Sequence, residues 1–305
     1  MTKEGKGMVL VFLTAFISGF SIFLNAFGVQ GIAPSLFVGM KNLFVGLVIV
    51  SLLLLTKERA FLQTLKFSDW TKLFLVGLIG GSVPFVLFFQ GLTMTSSAKA
   101  GFIHKTLFVY VALFSVVVLR EKMTKKIFIG FFALLLGQAL FLRFRPEALG
   151  AGDALVFLAT LFWAAEIVIS KKLLSRIPVN IVAGSRMLFG GALVWLYLFW
   201  TGNASGVLAL TPAQVSWTVI STILLAGYVF SFYHGLKRVP AHAATAVLAL
   251  GAPVTLVLSA VFQGARIHFA QAAGMFIMVL AVYFFMRAIL REKKTDNYVP
   301  ERSHS

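Results

Sequence analysis

An all-α membrane protein, with ten transmembrane helices in two inverted five-helix repeats, is the fold this sequence predicts, and three observations predict it. Hydrophobic residues make up 59% of the 305 and charged residues only 12%, a composition that suits lipid rather than water as solvent. About ten apolar stretches are long enough to span a bilayer, at roughly 20 residues each. The two halves also lie over each other in register. An offset of 145 carries Val11-Phe12-Leu13 onto Val156-Phe157-Leu158, Lys41 onto Arg186 and Gly46 onto Gly191. An offset of 144 carries Gln90-Gly91-Leu92 onto His234-Gly235-Leu236, Ala100 onto Ala244, Val109 onto Pro253 and Gly130 onto Gly274. Internal duplication on this scale is how many transporter folds are built.

The first span, near 7–27, follows a short basic stretch; its apolar run is too long for a secretory signal and no small-residue cleavage site follows it, so it reads as uncleaved. The second, 34–56, carries Lys41, and a polar connection over 57–70 leads to the third, 71–91. The fourth, 97–119, places Ser97, Gly101 and Lys105 at i, i+4 and i+8, a small-residue face suited to close helix packing. The fifth, 125–143, ends the first repeat, assigned to 1–147. In the second repeat, 148–291, the sixth span (152–171) aligns Ala159, Trp163, Glu166 and Ser170, and the seventh (179–200) holds Arg186. After a connection over 201–213 come the eighth, ninth and tenth spans, 214–234, 241–262 and 268–290, and a polar tail over 292–305. Five spans per repeat is an odd number, so the second copy must sit upside down relative to the first.

A formal charge of +17 would suggest nucleic acid in a soluble chain, but the distribution excludes it. With the N-terminus taken as cytoplasmic, 20 of the 27 Lys and Arg fall on the inner side. The outer side keeps Lys99, Arg143, Arg145 and Arg266, and Lys41, Lys105 and Arg186 fall within spans. That bias sets the topology of a multi-pass inner-membrane protein with both termini and the tail cytoplasmic. Cysteine is absent, so neither disulfides nor thiolate metal sites enter the reading.

A charge at bilayer depth must face protein or water. Lys41 and Lys105 both lie about seven residues, roughly 10 Å, below the outer surface, and two cations at one depth would trap an anion. His104 and Tyr110 add polar capacity beside Lys105, and Trp163 offers a stacking surface. Against this stands snorkelling, with the lysine amines reaching the outer headgroups while their stems pack on lipid. Glu166 and Arg186 approach the inner side at similar depth, so an ion pair is expected. It reads either as a structural tie or as an inner gate or proton-coupled carboxylate. The binding set is therefore Lys41, Lys105, His104, Tyr110 and Trp163, with Glu166 and Arg186 as gate or coupling residues. No metal site, catalytic set or cofactor is expected, since no phosphate-binding loop, paired-His spacing or Ser-centred elbow is present.

Ser97-Ala98-Lys99-Ala100-Gly101, followed by the apolar run to Leu119-Arg120-Glu121-Lys122-Met123-Thr124, resembles the fourth helix and following turn of an EamA-type repeat. Ala151-Gly152-Asp153-Ala154-Leu155 running into Phe162-Trp163-Ala164 resembles the start of the second such repeat. Over about 290 residues the chain is similar to the drug/metabolite transporter superfamily. It departs in lacking the fourth-helix proline near Val109, whose counterpart is Pro253, and in replacing the acidic residue at the Glu121 turn by Ala265 in the second copy. Lys41 and Arg186 stand where such repeats commonly carry an arginine. The resemblance implies a cavity built by the second to fourth and seventh to ninth spans, with the fifth and tenth peripheral. The expected function is secondary transport, by export or exchange and alternating access, of a small anionic or zwitterionic metabolite such as an amino acid. Protons are the candidate coupling ion, and the protein is a monomer or homodimer. Phosphorylated metabolites and hydrophobic drugs follow as substrates, and a membrane-embedded enzyme acting on lipid is the alternative from another class.

Overall fold

The computed structural model describes residues 2–28, 31–143 and 148–296, and the side chain of Ser97, all of Arg145 and the end of the tail lie outside what it describes. Among the described residues nine helices are long and apolar enough to cross a membrane. The 17-residue helix Lys125–Phe141 takes the place of the fifth span and packs along the tenth. The outward faces of this pair are apolar, with Phe128, Phe132, Phe276 and Phe284 exposed, as a lipid-facing surface requires.

The packing follows a two-fold relation between the repeats. The second span packs on the seventh and the fifth on the tenth, each a pair of equivalents. The first packs on the eighth just as the third packs on the sixth. Close approaches at glycine repeat the same symmetry. A Cβ on Gly46 would lie 2.6 Å from the backbone N of Leu188, and one on Gly191 would lie 2.6 Å from that of Leu43, the residue 145 positions before Leu188. Gly91 meets Val156 at 2.7 Å and Gly235 meets Val11 at 2.6 Å in the same way. The internal offset in the sequence is thus a register of helix crossings, each closed by a residue without a side chain.

Several spans that read as continuous are broken. The fourth divides at Thr106 into Ser97–Lys105 and Leu107–Phe114, then closes with a π turn, Ser115–Leu119. The ninth divides at Ala249 and Leu250 into Ala241–Leu248 and Gly251–Gln263. The two breaks fall at equivalent positions. In the ninth, Pro253 has no N–H to offer the carbonyl of Ala249, which instead accepts from Ala252 at 3.4 Å. In the fourth, the Thr106 hydroxyl donates to the Ile103 carbonyl at 2.6 Å, and no proline is involved. The third span contains a π segment, Gly77–Ser82, with no counterpart in the eighth, which is helical from Pro212 to Arg238.

The half-helices are not packed alike. Ala241–Leu248 is buried along almost its whole length against the first span and Leu107–Phe114. Its counterpart Ser97–Lys105 borders open space, and a Cβ on Gly101 would meet nothing within 4 Å. The equivalent of Gly101 is Thr245, which is 3% exposed.

Candidate functional site

A cavity of about 370 Å³ lies among these spans. Phe85, Phe88, Phe89, Trp163, Tyr228 and Phe232 wall it, and Asn42, His104, Glu166 and Arg186 supply its polar groups. The second, third, fourth, sixth, seventh, eighth and ninth spans contribute to the lining. The sixth joins those expected to build it, and the fifth and tenth take no part.

The polar floor is organised by the π segment. Residue 84 is a proline, so the carbonyl of Gly80 lacks its usual donor four residues on. Two side chains take that place: the Trp163 indole N–H at 3.1 Å and Arg186 Nη2 at 3.0 Å. Asn42 Nδ2 donates to the next carbonyl, that of Gly81, at 3.0 Å. Three other spans are therefore tied to one stretch of irregular backbone in the third, which is tolerated at this depth because it lines a cavity inside the protein.

Glu166 is 2% exposed and well bonded. Its Oε1 accepts from the hydroxyls of Ser170 and Tyr233, both at 2.6 Å, and its Oε2 lies 3.5 Å from Arg186 Nε. The Glu166–Arg186 approach is close enough for an ion pair but not aligned as a hydrogen bond, and Arg186 Nε has no hydrogen-bond partner. The pair thus keeps an unused donor. Above it the Trp163 ring meets Phe85 edge-on at 5.1 Å and His104 at 4.8 Å, and His104 also meets Phe88 at 5.3 Å. His104 Nδ1 is buried without a partner.

Of the residues expected at the site, His104, Trp163, Glu166 and Arg186 come together around one cavity. Lys41, Lys105 and Tyr110 are not part of its lining. Lys41 Nζ sits 4.1 Å from the centroid of the Phe37 ring on its own helix, and the neighbouring Asn42 takes the inward position. On the fourth span His104 faces the cavity in place of Lys105, which is half-buried and makes no hydrogen bond or ion pair among the described residues. Tyr110 packs edge-on against Phe157 at 5.4 Å. The anion trap expected from two lysines at one depth is therefore not a feature of this cavity. Equal depth left their faces undetermined. Asn42, Tyr228, Tyr233 and the Gly80 carbonyl escaped the sequence reading, although Gly80 standing four residues before Pro84 was the visible signal for the last.

Each end of the bundle has its own fastening. At the basic end Glu121 accepts from the backbone N–H of Ala241 at 2.8 Å and pairs with His242 Nδ1 at 2.5 Å. His242 is 2% exposed. Burial acts to raise the Glu121 carboxyl, but the bond and charge of His242, the Ala241 N–H and the nearby Lys171 together hold it below the ordinary carboxylate range. Lys171 Nζ also donates to the carbonyls of Leu236 and Val239 at 2.6 and 2.7 Å, joining the sixth span to the end of the eighth. At the opposite end Asp153 accepts from Thr95 at 2.5 Å and pairs with Lys99 at 3.1 Å.

The EamA-like transporter family matches the chain twice, at residues 5–143 and 150–287. A solved structure described as "Crystal structure of protein" is similar with a TM-score of 0.77 and 16% sequence identity, covering 95% of this chain and 99% of that one, a likeness that speaks to the fold alone. No curated protein matches. The two matched segments coincide with the two halves whose helix crossings repeat, and the chain belongs to the EamA-like transporter family.

Proposed function

We propose that this membrane transporter carries a small zwitterionic solute with an apolar body, amino acids foremost, by exchange or export through the central cavity. The observation that carries the reading is an aromatic-walled chamber whose lining charges among the described residues are opposed, Glu166 and Arg186, with Arg186 Nε unused. A carboxylate suits the guanidinium as a hydrogen-bonding partner, an ammonium suits the aromatic faces and Glu166, and an apolar side chain suits the phenylalanines. Phosphorylated metabolites fit less well, since the lining holds no excess of positive charge. The aromatic majority of the wall favours a lipophilic drug as the second reading.

Alternating access is supported by the unequal packing of equivalent half-helices. Exchanging their environments would bury Ser97–Lys105 and release Ala241–Leu248, turning a chamber open opposite the basic end into one open toward it. In that scheme the Glu121 contact with Ala241 and His242 is the latch of the basic end. The second repeat has no counterpart, because Ala265 stands at the equivalent position. The concentration of basic residues supports placing that end, and both termini, in the cytoplasm.

A ligand panel on the purified chain tests the substrate class. Apolar amino acids should raise the thermal unfolding midpoint in a saturable manner, while their amides and N-acetyl derivatives should not. Stabilisation by lipophilic cations alone would favour the drug reading.

A further inference from the structure

A second cavity, about 750 Å³ and so larger than the central one, opens at the basic end between the 3-10 segment Lys57–Thr64, the start of the third span and the end of the sixth. It lies nearer the basic end of the sixth helix than the transport chamber does, on a neighbouring face. Ile169, Lys172, Leu173 and Arg176 face it, whereas Trp163, Glu166 and Ile167 face the chamber. Its rim carries Lys66, Lys72, Lys172 and Arg176. Arg176 is committed to Asp69, the one acidic residue of the lining, which also accepts from the backbone N–H of Lys66 at 3.2 Å. Lys66, Lys72 and Lys172 are exposed and make no ion pair among the described residues, so three positive charges converge on a space whose single carboxylate is already neutralised.

The chemistry changes with depth. Leu75 lies nine residues along the third span from Lys66, about 13 Å at helical rise, and Val118 and Ile169 join it in the wall. Leu75 and Val118 are exposed, at 37% and 46%. A soluble anion would use the lysines and leave that apolar wall bare. A phospholipid uses both, since its headgroup phosphate sits at the level of the span ends and its acyl chain runs down the helices.

We propose that this groove binds the headgroup phosphate of an anionic phospholipid, held by Lys66, Lys72 and Lys172, with an acyl chain along Leu75, Val118 and Ile169. Such basic recesses between spans on the cytoplasmic side suit anionic headgroups. The occupant would press on the same helix that carries Glu166.

The test is thermal unfolding of the purified full chain in neutral detergent, titrated with phosphatidylglycerol, phosphatidylcholine or inorganic phosphate. Phosphatidylglycerol should raise the midpoint, while phosphatidylcholine and inorganic phosphate at equal phosphorus concentration should not. A chain with Lys66→Gln, Lys72→Gln and Lys172→Gln should need at least tenfold more phosphatidylglycerol for the same shift. One with Lys125→Gln, Lys126→Gln and Lys237→Gln, which removes equal charge from the same end, should stay within twofold of the parent. If the groove variant does not purify folded, the pair Lys72→Gln and Lys172→Gln is read the same way. Equal losses in the groove and control variants would reduce the effect to a diffuse field. An equal response to inorganic phosphate would make the site one for a soluble anion. Either result overturns the lipid assignment.

Discussion

The carbonyl of Gly80 lacks its usual donor four residues on because residue 84 is a proline, and Trp163 and Arg186 donate to it from two other spans. Arg186 is thereby fixed beside Glu166, itself held by Ser170 and Tyr233. Glu166→Gln keeps an oxygen for both hydroxyls but removes the charge, leaving Arg186 without its counter-ion. Breaking one side of a buried pair costs about 3–5 kcal/mol where no water relieves it. Transport is expected to fall at least tenfold, with partial recovery when Arg186→Gln is added, the mark of a coupled pair. Initial rates in vesicles check this, and a double variant no better than the worse single one would contradict the coupling. Lys105→Met offers the contrast. Because Lys105 is not part of the lining, its apparent affinity for substrate should stay within about threefold, a difference below 1 kcal/mol, and a loss of tenfold or more would return the lysine to the binding set.

At the scale of the helix, the irregular segments separate what the sequence reveals from what it conceals. Hydropathy located the spans, since burial in lipid demands long apolar runs whatever their internal bonding. It was silent on hydrogen-bond register, which is where the third, fourth and ninth spans break. For the same reason it gave Lys41 and Lys105 an expected depth without placing their faces, because one residue turns a helix by about 100°. Asn42 and His104 were the inward neighbours. Glu166 and Arg186 were more legible, as a buried carboxylate and guanidinium at matched depth have few alternatives to each other. Pro84→Ala tests the role given to the π segment. A restored N–H would compete for the Gly80 carbonyl, so transport should fall at least tenfold while thermal stability holds or rises. Undiminished transport would show that the irregularity is incidental. The latch at the other end has a pH signature. The Glu121 carboxyl lies below its unfolded value, which is about 4.3. Its contribution is therefore full above that value and lost as the pH falls through the lower folded one. A cysteine at Thr245 should stay protected from water-soluble thiol reagents at neutral pH, whereas with Glu121→Gln it should react, and the thermal stability that the parent holds over Glu121→Gln should shrink as the pH falls below that value.

For the whole molecule, the two-fold relation supplies the scaffold and, in the proposed alternating-access scheme, the second state. Pairs such as Gly46 with Leu188 and Gly191 with Leu43 hold the repeats together symmetrically, while the half-helices of the fourth and ninth spans are packed unequally. The absence of cysteine makes accessibility simple to read. Gly101→Cys should label from the side opposite the basic end and become protected when the chamber reverses, as Thr245→Cys becomes exposed. Ser68→Cys should label from the cytoplasm alone, and labelling from outside intact cells would invert the orientation. The central proposal is the chamber as a zwitterion path anchored by Arg186. Uptake of a labelled apolar amino acid into vesicles loaded with the unlabelled compound tests that path most directly. The account predicts saturable exchange above empty vesicles that falls at least tenfold with Arg186→Gln. Exchange unchanged by that substitution, or carriage of lipophilic cations with no amino acid exchanged at all, would contradict it.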